Sequence, residues 1–231
     1  MDRVDTSNLS DKKLKKNDRI LLDRKMIETR YVYFFIKRAI DILGSLVGLI
    51  LFIPIFLIVA FLIKKEDKSG PVFFSQERVG KNGKIFKMYK FRSMSVDAEE
   101  RLASLLEKNE IEGAMFKMKN DPRVTKIGRY IRKNSIDELP QLWNVLRGEM
   151  SLVGPRPPLV REVNIYSEYD KQRLYVKPGC TGVWQVSGRN HVGFEEMVNL
   201  DLKYISKMSF FYDLLIIFKT FYMIIKPNGA Y

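Results

Sequence analysis

Residues 42–63, ILGSLVGLILFIPIFLIVAFLI, decide how the rest of the chain is organised. The stretch holds no charged residue and reaches the roughly 20 apolar residues that a helix needs to cross a bilayer. Pro54 stands in its middle, where a proline removes a backbone hydrogen bond and bends a helix. Gly44, Ser45 and Gly48 form a small face that predicts close packing against another helix. The sequence therefore predicts a membrane helix that is kinked at Pro54.

Basic residues flank both ends of this stretch, as KR at 37–38 and KK at 64–65. Basic flanks favour the cytoplasmic side of a membrane, and one straight span cannot place both ends there. A helix that enters, bends at Pro54 and returns to the same face satisfies both flanks. We therefore predict a monotopic membrane protein with a re-entrant helix over residues 37–65; a spanning helix and a buried core helix are the alternatives.

The chain is strongly basic, with 40 Lys and Arg against 27 Asp and Glu and a net charge of +13 in 231 residues. This balance indicates a polyanionic partner, such as phosphate-bearing substrates, an anionic membrane surface or nucleic acid. Cys180 and His191 are the single residues of their types. They leave neither an internal disulfide nor a histidine cluster for zinc. Acid–base chemistry is therefore expected from carboxylates, lysines and tyrosines.

Around the membrane helix, residues 1–36 are expected to form a basic N-terminal arm, and residues 66–231 a cytoplasmic catalytic domain. The domain is predicted to be α+β and predominantly helical, with a small β element. Strands are expected over 71–76 and 85–92, joined by an Asn82-Gly83 turn. The remaining predictions are helices over 97–106, 127–133, 159–173 and 194–207, a strand over 183–190, and an interfacial amphipathic C-terminal helix over 209–226.

Asp137 and Glu138 are the candidate catalytic pair, within SIDELPQLWNVLRGEMSLVGPRP at 135–157. Adjacent carboxylates between basic segments suit a site that handles phosphates through a divalent metal. A capping box that begins at Ser135 is the structural alternative. Pro140 argues against that register, because it would fall in the helix interior. A helix that begins at Asp137 or later tolerates Pro140 in its first turn. The residues alone leave the functional and the capping interpretation open.

Five segments follow one another in a recognisable order. They are the KR entry to a Pro-broken membrane segment, KMYKFRSM at 87–94, IDELPQLWNVLRGEMSLVGPRP at 136–157, KPGCTGVWQVSGRN at 177–190 and LDLKYI at 200–205. Together they resemble the bacterial sugar transferases, a family of monotopic polyprenyl-phosphate phosphoglycosyl transferases. The stretch from Val96 to Asp121 is similar to the catalytic domain of the hexose-transferring members.

The resemblance implies that a sugar-1-phosphate passes from a UDP-sugar to undecaprenyl phosphate, with release of UMP. It makes Asp137 the nucleophile of a covalent aspartyl-phosphosugar intermediate, and Glu138 its partner in Mg²⁺ binding or proton handling. A carboxylate is a feasible phosphoryl acceptor, and Mg²⁺ with basic groups neutralises a diphosphate. The expected substrate- and phosphate-binding residues are Lys90, Arg92, Arg132, Arg156, Gln185, Arg189 and Asp201.

The same resemblance predicts a hexose, glucose or galactose, as the sugar, and a first membrane step in capsule, exopolysaccharide or O-antigen synthesis. It places the protein at the bacterial inner membrane with its catalytic domain on the cytoplasmic face. Membrane lipid is an expected partner, nucleic acid is not, and a homo-oligomer is left open. The alternative function is a non-enzymatic, membrane-associated module that binds anions or nucleic acid, which the charge alone would permit.

Overall fold

The computed structural model describes residues 19–108, 118, 120–187 and 193–225. In this part of the chain most residues are helical and the strands form two small sheets, which confirms the α+β class. The α-helices are α1 Arg24–Glu28, α2 Tyr31–Leu51, α3 Ile53–Glu66, α4 Lys126–Lys133, α5 Gln141–Arg147, α6 Val160–Asn164, α7 Glu168–Lys171, α8 Val183–Val186, α9 Phe194–Lys207 and α10 Phe210–Ile225. The strands are β1 Phe73–Val79, β2 Ile85–Phe91, β3 Ser151–Val153 and β4 Gly179–Thr181. Short 3₁₀ helices cover Lys81–Gly83, Glu100–Lys108, Ile136–Glu138 and Gln172–Tyr175.

The predicted membrane segment consists of two helices, α2 and α3, that meet at Phe52 with a bend of 58°. Pro54 lies in the first turn of α3, where its missing N–H leaves no helical hydrogen bond unmade. The segment is therefore bent at Phe52, two residues before Pro54. No single helix among the described residues is long and apolar enough to cross a membrane, whereas the bent pair together has the length and composition.

The small residues of α2 pack against the domain that follows it. Ser45 is fully buried. A methyl group on Gly44 would lie 2.8 Å from Leu152, and one on Gly48 would lie 2.9 Å from Leu142 of α5. The predicted small face is therefore a helix–helix contact, and it seats α2 directly against the helix that follows Asp137 and Glu138.

The opposite side of the bent pair is apolar and open. Leu43, Val47, Leu57 and Phe61 each expose more than half of their surface. A continuous apolar surface of this kind is uncommon on a soluble monomer and is typical of a face that contacts lipid or protein.

The part of the chain after α3 begins with the predicted hairpin. β1 and β2 pair antiparallel from Phe73 opposite Phe91 to Val79 opposite Ile85. Asn82 at the turn adopts a left-handed backbone with φ of 58°, which asparagine tolerates better than most residues.

Helix α3 does not stand apart from this hairpin. Val59 and Ile63 are buried against Phe91 of β2 and Ile131 of α4. Phe56 adds a ring contact to Phe91 at a centroid distance of 5.0 Å. The second half of the membrane segment is thus part of the same core as the strand that carries Lys90.

A second, parallel sheet joins two distant segments of sequence. β3 pairs with β4, so that residues 154–157 and 177–182 run side by side. Glycines permit the approach: a Cβ on Gly179 or Gly182 would overlap the backbone of Gly154.

Three predicted elements differ from those observed. The strand predicted over 183–190 is wrong where it is described, because β3 ends at Val153 and the chain forms the short helix α8 instead; residues 188–190 lie outside the described residues. The helix predicted over 159–173 is divided into α6 and α7, with Ser167 capping α7 through a hydrogen bond from the Asp170 N–H. The helix predicted to start at residue 97 is a 3₁₀ helix over Glu100–Lys108.

The C-terminal helices complete the main core. α9 and α10 occupy the predicted ranges, and Ile216 of α10 is buried. Thr220 and Thr181 share a hydrogen bond of 2.7 Å that ties α10 to β4. Phe211 and Phe218 point outward and expose 79% and 68% of their surface. One face of α10 is therefore apolar and open, as predicted for an interfacial helix.

Of the predicted N-terminal arm, residues 19–36 are described and contact the domain, whereas residues 1–18 lie outside the described residues. Leu22 donates its N–H to Gln172 Oε1 at 2.7 Å, and Ile27 of α1 is buried in the core formed by α9. α2 begins at Tyr31, so the predicted boundary between residues 36 and 37 falls inside one continuous helix.

Candidate active site

Asp137 and Glu138 lie in the one-turn 3₁₀ helix between α4 and α5. Ser135 enters this turn with φ of 55° and makes no side-chain cap, so the capping-box interpretation is wrong. α5 begins at Gln141 with Pro140 as its N-cap. The later helix start is therefore the one that the structure adopts, and it places the two carboxylates just ahead of α5.

Lys90 faces the carboxylate pair from strand β2. Its Nζ lies 2.7 Å from Glu138 Oε1 and 3.9 Å from Asp137 Oδ2. The three groups come from segments 47 residues apart in sequence, and they form a compact acid–base cluster. The structure thus brings together Lys90, Asp137 and Glu138, three of the predicted site residues.

Asp137 exposes only 7% of its surface, and this burial dominates its electrostatics. Burial raises the pKa of Asp137 to about 6; the Lys90 ammonium opposes the shift, the Glu138 charge reinforces it, and Arg132 opposes it. The carboxylate is therefore mostly ionised at neutral pH. It is also poorly hydrated, which favours nucleophilic attack once a substrate is bound.

Asn144 holds α5 and β2 in register, and sequence reasoning missed it. Its Nδ2 donates to the Lys87 carbonyl at 2.7 Å, and its Oδ1 accepts from the Tyr89 N–H at 3.0 Å. The side chain is fully buried. Because Tyr89 adjoins Lys90, these bonds fix the strand that carries Lys90 against the helix that follows the carboxylates.

Arg38 of α2 secures the other end of α5. Its guanidinium donates to the carbonyls of Val145 at 2.6 Å and Leu146 at 2.8 Å. These carbonyls belong to the last turn of α5, where they lack helical partners. Helix α2 therefore helps to orient the helix that follows the carboxylates.

Arg92 is directed elsewhere. Its guanidinium donates to the Asp67 carboxylate at 2.8 Å and to the Asp67 carbonyl at 2.7 Å, just beyond the end of α3. It is also packed tightly against Gly70. The contacts of Arg92 thus anchor the α3–β1 connection, while Lys90, two residues earlier, faces the carboxylate pair.

Arg156 lies in a second basic cluster. Its Nη1 is 3.2 Å from Glu162 Oε2. Arg78 of β1 is buried beside it and donates to the Pro157 carbonyl at 2.9 Å. Burial lowers the pKa of Arg78 to about 10, with the neighbouring Arg156 charge adding to that effect and Glu162 and Glu138 opposing it. Arg78 was not predicted as a site residue; its position in a strand conceals that it faces the 154–157 segment.

Asp201 is wholly buried and binds Arg173 through bonds of 2.6 and 2.8 Å. Arg173 in turn donates to the Tyr166 hydroxyl at 2.7 Å and to the Arg156 carbonyl at 3.2 Å. Asp201 therefore supports the predicted phosphate-binding segment from behind: Arg173 donates to the Arg156 carbonyl, and the Arg156 backbone N–H donates to the Asp201 carboxylate.

The remaining predicted residues divide between the described and the undescribed parts of the chain. Gln185 is buried on α8, next to Gly182 at the end of the parallel sheet. Arg189 lies outside the described residues. Burial raises the pKa of the Cys180 thiol, which agrees with a packing role for this cysteine.

The match to a family model covers the membrane segment, the site and the C-terminal helices together. The model for "Bacterial sugar transferase" matches residues 32–227. The chain belongs to the bacterial sugar transferase family. This confirms the family that the five ordered segments indicated.

Curated relatives of this sugar transferase extend the comparison. It is 50% identical over 204 residues to "Galactosyl transferase CpsE" of Streptococcus agalactiae, which covers 87% of this chain and 44% of that protein. It is 44% identical over 201 residues to "Undecaprenyl-phosphate galactose phosphotransferase" of Salmonella typhimurium, covering 85% and 42%. It is 44% identical over 199 residues to "Exopolysaccharide production protein ExoY" of Rhizobium meliloti, covering 84% and 88%. The sugar transferase thus spans less than half the length of the first two relatives and most of the third.

The carboxylate pair suits Mg²⁺ by its chemistry. No group of three or more His, Cys, Asp and Glu side chains gathers among the residues that the structure describes. Mg²⁺ does not need one, because it commonly binds through one or two carboxylates, waters and substrate phosphates. Asp137 and Glu138 supply that donor set in this sugar transferase, with Lys90 alongside them.

Proposed function

We propose that this sugar transferase moves a sugar-1-phosphate from a UDP-sugar to undecaprenyl phosphate and releases UMP. The observation that carries the proposal is the buried Asp137 beside Lys90 and Glu138. The printed names of the relatives support the reaction, because one of them is an undecaprenyl-phosphate galactose phosphotransferase of 44% identity.

Asp137 is the nucleophile of this reaction. One carboxylate oxygen forms a bond to the sugar-bearing phosphorus, and the bond from that phosphorus to the bridging oxygen breaks. The electron pair leaves with UMP, and an aspartyl-phosphosugar remains. In the second step an oxygen of the lipid phosphate attacks the same phosphorus and restores the carboxylate. Division into two displacements lets UMP leave before the lipid reacts.

The other groups of the site bind and orient the substrates. Lys90 and Arg132 place positive charge beside Asp137 and favour its ionised form. Arg156 presents a second positive group, held by Glu162 and by the Asp201–Arg173 pair behind it. Asp137 and Glu138 would hold Mg²⁺, which neutralises charge on the donor diphosphate when bound.

The membrane supplies the second substrate at a fixed depth. The apolar face of the bent α2–α3 pair and the exposed aromatic residues of α10 support insertion into one leaflet. The basic flanks of residues 42–63 favour the cytoplasmic face. A re-entrant helix would hold the active site where the phosphate of undecaprenyl phosphate lies.

The sugar is a hexose in this proposal, with galactose before glucose. Two of the relatives described above are named for galactose or galactosyl transfer, at 44% and 50% identity. The relative named for exopolysaccharide production has a similar length to this chain and supports a role in that kind of synthesis.

UMP release tests the proposal. The full chain, purified from membranes, is given undecaprenyl phosphate, Mg²⁺ and UDP-galactose, UDP-glucose or UDP-N-acetylgalactosamine. UMP is expected from at least one donor. Asp137→Asn is expected to abolish it. Asp97→Asn changes an exposed aspartate in the turn before the 3₁₀ helix Glu100–Lys108 and is the matched control. UMP release by the Asp137→Asn protein at the wild-type rate would overturn the assignment.

A further inference from the structure

A further cluster of positive charge, distinct from the Arg156–Arg78 cluster, lies between α2 and the 177–182 segment, apart from the carboxylate pair. It surrounds a cavity of about 130 Å³. Three lysines from separate elements line it: Lys37 of α2, Lys81 of the hairpin turn, and Lys177, two residues after the 3₁₀ helix Gln172–Tyr175. The cavity lining includes none of Lys90, Asp137 and Glu138, so the cavity is separate from the carboxylate pair.

The cluster has more cations than carboxylates. Lys37 is paired with Asp213 at 2.8 Å. Lys81 lies over the Phe34 ring at 5.4 Å, which is an attractive contact without a counter-charge. Lys177 is half-buried, and neither it nor Lys81 forms an ion pair with a residue that the structure describes.

The charges around Lys177 are mainly repulsive. Burial lowers the pKa of Lys177, the positive charges of Arg38 and Lys81 add to that effect, and Asp41 opposes it. Asp41 is itself engaged, because its Oδ1 accepts hydrogen bonds from the Ser151 hydroxyl and the Leu152 N–H at 2.9 Å. An anion in the cavity would offset the unfavourable burial of the lysine amino groups.

The cavity adjoins an apolar groove. A groove of about 350 Å³ runs between α2 and α10 and shares Lys37 and Val153 with the cavity wall. Val32 and Phe211 line it and are mostly exposed. Lys37 lies about one helical turn before the uncharged run 42–63, which corresponds to headgroup depth for a membrane-inserted helix.

We infer that this cavity binds the phosphate group of an anionic phospholipid, with an acyl chain of that lipid in the adjoining groove. The cavity has room for several water molecules and therefore for a five-atom phosphate group. Lys81 and Lys177 donate to the phosphate oxygens, as ammonium groups do in charge-assisted contacts. The bound lipid would fasten α2 and α10 to the catalytic domain and fix the depth of the active site.

Lipid retention by the full chain tests the inference. Detergent-purified protein is titrated with phosphatidylglycerol or phosphatidylcholine and examined by native mass spectrometry. Wild type is expected to retain phosphatidylglycerol in preference to phosphatidylcholine. Lys177→Met and Lys81→Met are each expected to weaken that retention at least about tenfold, the effect of losing one charged hydrogen bond. Lys203→Met, which removes an equal charge from an exposed site on α9, is expected to leave it unchanged.

A second arm separates the lipid from a soluble phosphate. Inorganic phosphate is titrated against the same proteins and thermal unfolding is followed. In one outcome, phosphate stabilises wild type but not Lys177→Met, while wild type fails to retain phosphatidylglycerol. That result would support a phosphate site but overturn the inference that a lipid supplies the phosphate. Lys177→Arg keeps the charge and is expected to bind as wild type, which guards against misfolding of the methionine variant. Equal retention of both lipids together with no phosphate effect, or wild-type retention by both methionine variants, would overturn the site.

Discussion

Substitution of Lys90 tests how the site controls the ionisation of Asp137, the proposed nucleophile. The Lys90 ammonium lies 3.9 Å from Asp137 Oδ2 and is the strongest influence that holds the carboxyl pKa down against burial. At that distance the attraction between unit charges is about 1 kcal/mol in water and about 4 kcal/mol at an effective dielectric constant of 20. Since one pH unit corresponds to about 1.4 kcal/mol, loss of the ammonium should raise the Asp137 pKa by about 1 to 3 units.

The assay is the pH dependence of kcat/KM for UMP release, which reports ionisations of the free enzyme. Wild type is expected to lose activity as the pH falls through about 6, because protonated Asp137 is not a nucleophile. In Lys90→Met the acid limb should move to higher pH, and in Glu138→Gln, which removes a like charge, it should move to lower pH. Lys87→Met changes an exposed lysine of the same strand and is the matched control.

The direction of these shifts is what distinguishes an electrostatic role from a structural one. A general loss of folding or substrate affinity would lower kcat/KM at every pH without moving the acid limb. An acid limb in Lys90→Met that coincides with that of Lys87→Met would refute the assigned control of Asp137 by Lys90.

Three further predictions concern stability and positioning. Burial raises the folded-state pKa of Asp137 from 3.8 to about 6, so its ionised form destabilises the fold above pH 6. Asp137→Asn should therefore increase the free energy of unfolding by up to about 3 kcal/mol at pH 7.5, measured with denaturant. This increase should vanish below about pH 4, where Asp137 is protonated in both the folded and the unfolded state. Asn144→Ala should lower the free energy of unfolding by about 2 kcal/mol or more in the same assay, because two buried backbone groups lose their partner. It should also lower kcat, with little change in the pH of the acid limb. Arg173→Met should destabilise by about 3–5 kcal/mol because it leaves Asp201 buried without a counter-charge, and a second change, Asp201→Asn, should recover part of the loss; equal stability of the single and double variants would contradict this.

The sequence predicted those elements that are determined by residues close together in the chain. The kink follows from Pro54, the hairpin from the Asn82-Gly83 turn, and the packing of α2 from its small face at residues 44–48. The adjacent carboxylates were identifiable for the same reason. The periodicity of the strand and the helix did not predict that the carboxylates contact Lys90. The family resemblance did place Lys90 among the site residues.

Features that depend on distant partners were not predictable from a single sequence. The parallel sheet pairs three residues with three others 28 positions away, and the β-forming residues after it become the helical turn α8 because no partner strand continues. Asn144 looks like any polar residue on a helix until Lys87 and Tyr89 are placed against it. Arg92 follows β2 directly and is two residues from Lys90, the spacing of side chains on one strand face, yet its guanidinium donates to Asp67 just beyond the end of α3.

The most direct test of the central claim is the intact mass of the protein after incubation with UDP-galactose and Mg²⁺ in the absence of undecaprenyl phosphate. The account predicts a gain equal to one hexose phosphate, located on Asp137 by peptide mapping, released when undecaprenyl phosphate is added, and absent from Asp137→Asn. UMP formation that requires both substrates together, with no adduct on rapid quenching at any donor concentration, would contradict a covalent intermediate on Asp137.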